Sequence, residues 1–174
     1  MLLRHSASRS TAVFASAILC LACDGPESTT PGAAESAAIA GTLERMVRLA
    51  YDFSRDSVVD RIMALYPESG PVISASGGRI STSRDSLEAD IRGFWENVGR
   101  NMKEAQWEWV ETHVEVLSPD AAVLTATYRV PHLTPEGVPH TIAGAWTAVF
   151  ERRDERWVIV HEHLSDAPAS ATPP

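Results

Sequence analysis

A chain of 174 residues with 44% apolar residues and five tryptophans has enough material for one folded domain with extensions. Its formal net charge of −8 argues against nucleic-acid binding, which requires a basic face. Its two cysteines, Cys20 and Cys23, both precede the body of the chain, which excludes a disulfide framework and a thiol nucleophile there.

The opening "MLLRHSASRS" is basic, and "TAVFASAILCLA" after it is apolar. The run falls short of the roughly 20 residues that span a membrane, and the pattern fits an export signal over residues 1–22. "CLAC" resembles a bacterial lipoprotein signal with Cys23 as the lipidated residue, although Cys20 stands where that pattern prefers Leu. The expected location is the cell envelope, through a lipid anchor at Cys23; ordinary cleavage would instead release a periplasmic or secreted protein. "DGPESTTPGAAESAA" is almost devoid of large apolar residues and reads as a tether, residues 23–38. The folded domain is expected over residues 39–168, with a similar loose tail at 169–174.

Within the domain, Leu43, Met46, Val47, Leu49, Ala50 and Phe53 give one helical stripe. "VVDRIMALYP" reads as a second, shorter helix ending before Pro67. "PVISASGGRISTS" predicts a hairpin about Gly77-Gly78. A third helix follows, capped by Ser83 or Asp85, with the stripe Leu87, Ile91, Phe94, Trp95 and Val98. Four strands then run from "AQWEWVETHVEVLS" to "RWVIVHEHLS", turning at Pro119-Asp120, "PEG" and Asp154-Glu155. Helices followed by an antiparallel meander make an α+β fold, and strands this long curl around a pocket.

The order of these elements resembles the nuclear transport factor 2-like, or SnoaL-like, superfamily. "GVPHTIAGAWTAVFERRDERWVIVHEHLSDAP" is similar to the end of the association domain of calcium/calmodulin-dependent protein kinase II, through Gly137, Pro139, Thr141, Arg152-Arg153-Asp154, Trp157, Ile159-Val160-His161, His163, Ser165 and Ala167-Pro168. The resemblance implies a cone-shaped curved antiparallel sheet packed on N-terminal helices, with an internal cavity and often a homodimer. It implies no kinase. Ala148 and Leu164 stand where the kinase domain carries arginines lining a pocket for acidic ligands, which argues against an acid-binding cavity here. That domain also has both histidines without being an enzyme.

His161 and His163 are the main candidates for chemistry. Strict alternation places them on one strand face with Trp157 and Ile159, opposite Phe150, Ala148 and Trp146. The other face carries Val158, Val160, Glu162 and Leu164. The pocket match at Leu164 favours the second face as the inner one; bulk and aromaticity favour the first, and our reading places the histidines inward. The expected pocket is Trp95, Tyr128, Arg129, Trp146, His161 and His163, although Tyr128 and Arg129 point to opposite faces and Arg129 also suits a surface ion pair with Glu111 or Glu115. His113, His132 and His140 do not complete a metal set by spacing, and no cofactor is expected. There is no nucleophile elbow, phosphate loop or dinucleotide fingerprint. The favoured function is a non-enzymatic module that binds a small, mostly apolar ligand or self-associates, with no nucleic-acid partner. The alternative is an isomerase, cyclase or hydrolase using His161 or His163 as general base.

Overall fold

The computed structural model describes residues 31–168. Three helices, α1 (Ala33–Ala50), α2 (Val58–Met63) and α3 (Arg84–Asn97), pack against one face of a curved six-stranded sheet. The strands are β1 (Ile73–Ser76), β2 (Arg79–Ser81), β3 (Glu108–Ser118), β4 (Ala121–Leu133), β5 (Pro139–Arg153) and β6 (Arg156–Asp166), in the spatial order β2-β1-β6-β5-β4-β3. All neighbours are antiparallel except β1 and β6, which run parallel with Ile73 beside His161 and Ala75 beside His163. The fold is the α+β cone expected from the chain.

Helix α1 begins at Ala33, inside the stretch read as tether. Ala33, Ala34, Ala37 and Ala38 bury little, but alanine is the best helix former, so propensity extends the helix beyond its packed part. Leu43, Val47 and Ala50 carry the buried stripe, whereas Leu49 is exposed. The expected signal at 1–22, the start of the tether and the tail at 169–174 lie outside the described residues.

Two latches hold the segment between α2 and β1. The guanidinium of Arg84 donates to the carbonyls of Met63, Tyr66 and Pro67 at 3.2, 3.3 and 3.0 Å. The amide of Ile159 donates to the carbonyl of Leu65 at 2.7 Å. Together they seat Tyr66 against the inner face of β6.

Both tight hairpins take the turn that a twisted strand pair prefers. Gly77 and Gly78 have φ of 56° and 74°, and Asp154 and Glu155 have 48° and 65°, so each two-residue loop has positive φ at both positions. Ser83 caps α3: its hydroxyl accepts from the Ser86 amide at 3.2 Å while the Ser86 hydroxyl accepts from the Ser83 amide at 3.3 Å. Ser83→Ala is expected to cost about 1 kcal/mol of unfolding free energy, measured by denaturant titration, while Asp85→Asn stays near neutral.

The inner face of the sheet is the core. On β4 the buried residues alternate through Ala122, Leu124, Ala126, Tyr128, Val130 and His132, and on β5 through Trp146, Ala148 and Phe150. Strand β6 breaks that rhythm. Val149 faces His161, but Phe150 faces Ile159, so Val160 is an extra residue in a bulge. Beyond the bulge the phase is reversed: Ile159 is buried, His161 is exposed, and Glu162 is only 2% exposed.

Candidate functional site

The helices and the inner face of the sheet enclose a cavity of about 460 Å³. Its wall combines the aromatic residues Tyr51, Phe53, Tyr66, Phe94, Trp107 and Tyr128 with the aliphatic Ile62, Leu87, Ile91, Val130, Ile142 and Leu164. Ser76, Arg79, Asp90 and Asp166 line it as well and are exposed, so the β1–β2 hairpin and the end of β6 form the mouth. At the mouth Arg79 is held by Asp90 at 3.1 Å.

Four of the aromatic residues, Tyr51, Phe53, Trp107 and Tyr128, form one connected cluster. Trp107 lies nearly parallel to Tyr128, with ring centres 4.6 Å apart and 21° between planes. Tyr51 is tilted against Trp107 at 4.5 Å, and Phe53 meets Trp107 edge-on at 5.5 Å. These spacings are those of favourable aromatic pairs. Neither Trp107 Nε1 nor Trp109 Nε1 has a hydrogen-bond partner among the described residues, so this wall is held by ring packing.

One carboxyl group lies within the cavity wall, away from the mouth. Glu162 accepts a hydrogen bond from Ser74 Oγ at 2.7 Å on Oε1 and from Trp146 Nε1 at 2.8 Å on Oε2. A carboxylate in an apolar cavity loses its hydration, and these two fixed donors replace part of it. Ser74 comes from β1, Trp146 from β5 and Glu162 from β6, so the group ties three strands together. It needs the parallel β1–β6 pairing, which sets Ser74 beside Glu162.

The chain has three tyrosines, and all three line this cavity. Burial, and next the negative charge of Glu162, push the hydroxyls of Tyr51 and Tyr66 well above their ordinary value. Tyr128 is raised too, by burial first and Asp166 second. A tyrosine whose folded-state value is raised stabilises the fold fully below the unfolded value near 10, and that stability is lost as pH climbs from there toward the folded value. No separate tyrosinate band is therefore expected near pH 10 in the native protein. Near-ultraviolet absorbance should rise only at higher pH, together with unfolding, whereas the chain in denaturant titrates near 10.

Of the residues expected in the pocket, Tyr128 lines it. Trp146 is buried behind the wall as a donor to Glu162, and Trp95 is one layer out, against Phe53 at 5.4 Å. His161, His163 and Arg129 are on the opposite, outer face of the sheet. This corrects the inward placement of the two histidines, and the cause is the bulge at Val160, which a strict two-residue period cannot contain. Arg129 is paired with Glu108 across β3–β4, because a second bulge at Val110 shifts the register away from Glu111. His132 and His140 meet edge-on at 5.2 Å, with His132 Nδ1 bonded to the carbonyl of Val130, and His113 pairs with Glu111 on the outer face. Among the described residues no three metal-ligating side chains converge. Glu162, Ser74, Tyr51 and Tyr66 are site residues that the sequence reading passed over. The signal was present in Leu164, which lines the cavity and shares its face with Glu162.

Residues 79–168 match the family model described as the calcium/calmodulin dependent protein kinase II association domain, just over half of the 174 residues. The chain belongs to that family. The match begins at β2 and takes in the whole of the β3–β6 meander. Solved structures share the fold. The association domain of C. elegans CaMKII aligns with a TM-score of 0.56 at 16% identity, over 76% of this chain and 95% of that one. An NTF-2 like protein of unknown function from Shewanella oneidensis aligns with a TM-score of 0.56 at 22% identity, over 72% and 98%. A protein from Novosphingobium aromaticivorans assigned as a scytalone dehydratase aligns with a TM-score of 0.64 at 15% identity, over 78% and 88%. At these identities the likeness is one of fold.

Proposed function

We propose that this association-domain protein is an exported, lipid-anchored module that binds a small, mostly apolar ligand in its cone. The observation that carries the reading is the aromatic cavity of about 460 Å³, within the range of small-molecule sites, with Glu162, Ser74 and the tyrosine hydroxyls as its few polar groups. The envelope location rests on the basic start, the short apolar run and Cys23. Lipidation is tested by metabolic labelling with a fatty acid in the native host, where label lost in Cys23→Ser supports the anchor and an unlabelled wild-type chain removes it.

Binding is tested with a neutral apolar dye such as N-phenyl-naphthylamine on the full chain. Saturable uptake of one dye per chain, abolished when Ile142→Trp fills the cavity, is the expected result. Dye uptake that survives the filled cavity, or no saturable uptake at all, overturns the reading. A catalytic role for a histidine loses its support, since both candidates face away from the cavity. Glu162 is held in place by Ser74 and Trp146 as a fixed polar contact for a bound group.

Self-association is proposed through the outer sheet face, in keeping with a family named for association. Across β4 and β5 this face carries the small residues Thr125, Thr127, Ala143, Ala145 and Thr147, with the Thr125 and Thr147 hydroxyls 3.2 Å apart. The occupant is a second copy of the chain. Sedimentation should give a dimer that Thr147→Arg converts to a monomer, and a wild-type monomer at high concentration overturns it.

A further inference from the structure

We infer that the ligand of this cavity is an organic cation: an amine or ammonium group carried on an apolar, ring-sized body. The inference rests on the ligand-binding reading above and names the chemistry of its ligand. Among the described residues three carboxyl groups line the cavity, Glu162 inside and Asp90 and Asp166 at the mouth. One guanidinium does so, that of Arg79, and Asp90 already holds it at 3.1 Å. A carboxylate has about four acceptor positions; Ser74 and Trp146 fill two of them, and the Tyr66 hydroxyl lies against the group as a third neutral partner. Ser74 and Trp146 are neutral, so the carboxyl group has polar partners and no counter-charge. A bound cation supplies that charge, whereas a bound anion would face Glu162 across a poorly screened interior.

The aromatic wall favours the same ligand. Cations are attracted to the faces of Trp, Tyr and Phe within about 6 Å of the ring centre, most strongly where water is excluded. Tyr51, Trp107 and Tyr128 form a continuous stack on that wall. Asp166 at the mouth, the acid that is not paired with Arg79, adds attraction along the way in. Leu164 lines the cavity on the strand and face that hold Glu162, two residues away, and among the described residues no cationic side chain of β6 lines the cavity.

The test compares three probes of one shape by ligand-observed NMR titration of the full chain: phenethylammonium, neutral phenethyl alcohol and anionic phenylacetate. The wild type should bind the ammonium roughly tenfold more tightly than the alcohol, and the phenylacetate most weakly. In Glu162→Gln the ammonium and the alcohol should bind within about twofold of each other, with alcohol binding retained. Leu164→Arg provides a second route if Glu162→Gln does not fold: a guanidinium next to Glu162 should also abolish the ammonium preference. Equal wild-type binding of alcohol and ammonium overturns the cation inference and leaves the ligand-binding reading standing. Tighter binding of phenylacetate does the same. Binding of none of the three probes overturns both. An ammonium preference that persists in both variants upholds a cationic ligand and overturns Glu162 as its partner.

Discussion

Replacing Gly144 with alanine is expected to destabilise the domain by about 3 kcal/mol or more, enough to unfold much of the population at moderate temperature. Gly144 lies on β5 between Tyr128 of β4 and Asp166 of β6. A Cβ there would fall onto the backbone carbonyl oxygen of Ser165 and within 2.7 Å of the Tyr128 hydroxyl. The carbonyl belongs to the ladder between β5 and β6, so it yields only if that pairing opens. Tyr128 is no freer, since its ring stacks on Trp107 and walls the cavity. The neighbouring Ala143→Gly and Ala145→Gly are controls, each losing only about 1 kcal/mol of strand preference. Denaturant titration of the three variants checks the order. A Gly144→Ala protein within about 1 kcal/mol of wild type would show that β5 and β6 do not approach this closely.

Much of the architecture was readable from residue order. Period-two alternation over β3, β4 and β5, and turn residues at Gly77-Gly78 and Asp154-Glu155, located the long strands to within a residue or so, except that β3 starts at Glu108 and not at Ala105. The helices were readable from their stripes, because Leu43, Val47, Ala50 and Leu87 had to face one core. The start of α1 was not, since its first residues are helical by alanine propensity without burying a face. The parallel placement of β1 beside β6 was also hidden. It joins residues nearly ninety positions apart, and the short "ISAS" carries no mark of its partner.

The site was less legible than the fold for one local reason. Alternation is a reliable guide to facing only while a strand keeps its period. The extra residue Val160 reverses the phase of β6, so the aromatic logic that identified Trp146, Ala148 and Phe150 as inner residues gave the wrong partners beyond Ile159. The inner face was identified correctly and the histidines were assigned to it wrongly. A bulge leaves little trace in a single sequence, but a buried-face glutamate between His161 and His163 would have been the odd residue to question under the other phase. Its donor Ser74 comes from an edge hairpin with no chemical motif of its own, so only the assembled sheet brings the two together.

Glu162→Leu is the other large effect, and it separates what the carboxyl group does for the fold from what it does for a ligand. Leucine fills the space but accepts no hydrogen bond, leaving Trp146 Nε1 and Ser74 Oγ without their acceptor. A serine hydroxyl can rotate toward another acceptor, whereas the indole N–H is fixed by a ring that is 1% exposed. A buried donor left unpaired costs roughly 1–3 kcal/mol, partly offset because the carboxylate no longer has to be kept from water, so a net loss of about 2 kcal/mol is expected. Adding Ser74→Ala to Glu162→Leu should cost less than the two single changes summed, because the acceptor is already gone when the donor is removed. The tyrosines report the same change independently. The charge of Glu162 is the second cause, after burial, of the raised values at Tyr51 and Tyr66. Without it both should ionise at lower pH than in the wild type, yet still above the ordinary value, since burial remains. With the folded and unfolded values closer together, tyrosine ionisation should remove less stability at high pH than it does in the wild type. A Glu162→Leu protein with wild-type stability and an unmoved tyrosine titration would show that the carboxyl group neither anchors β1, β5 and β6 nor acts on the cavity wall, leaving no structural account of a glutamate buried there.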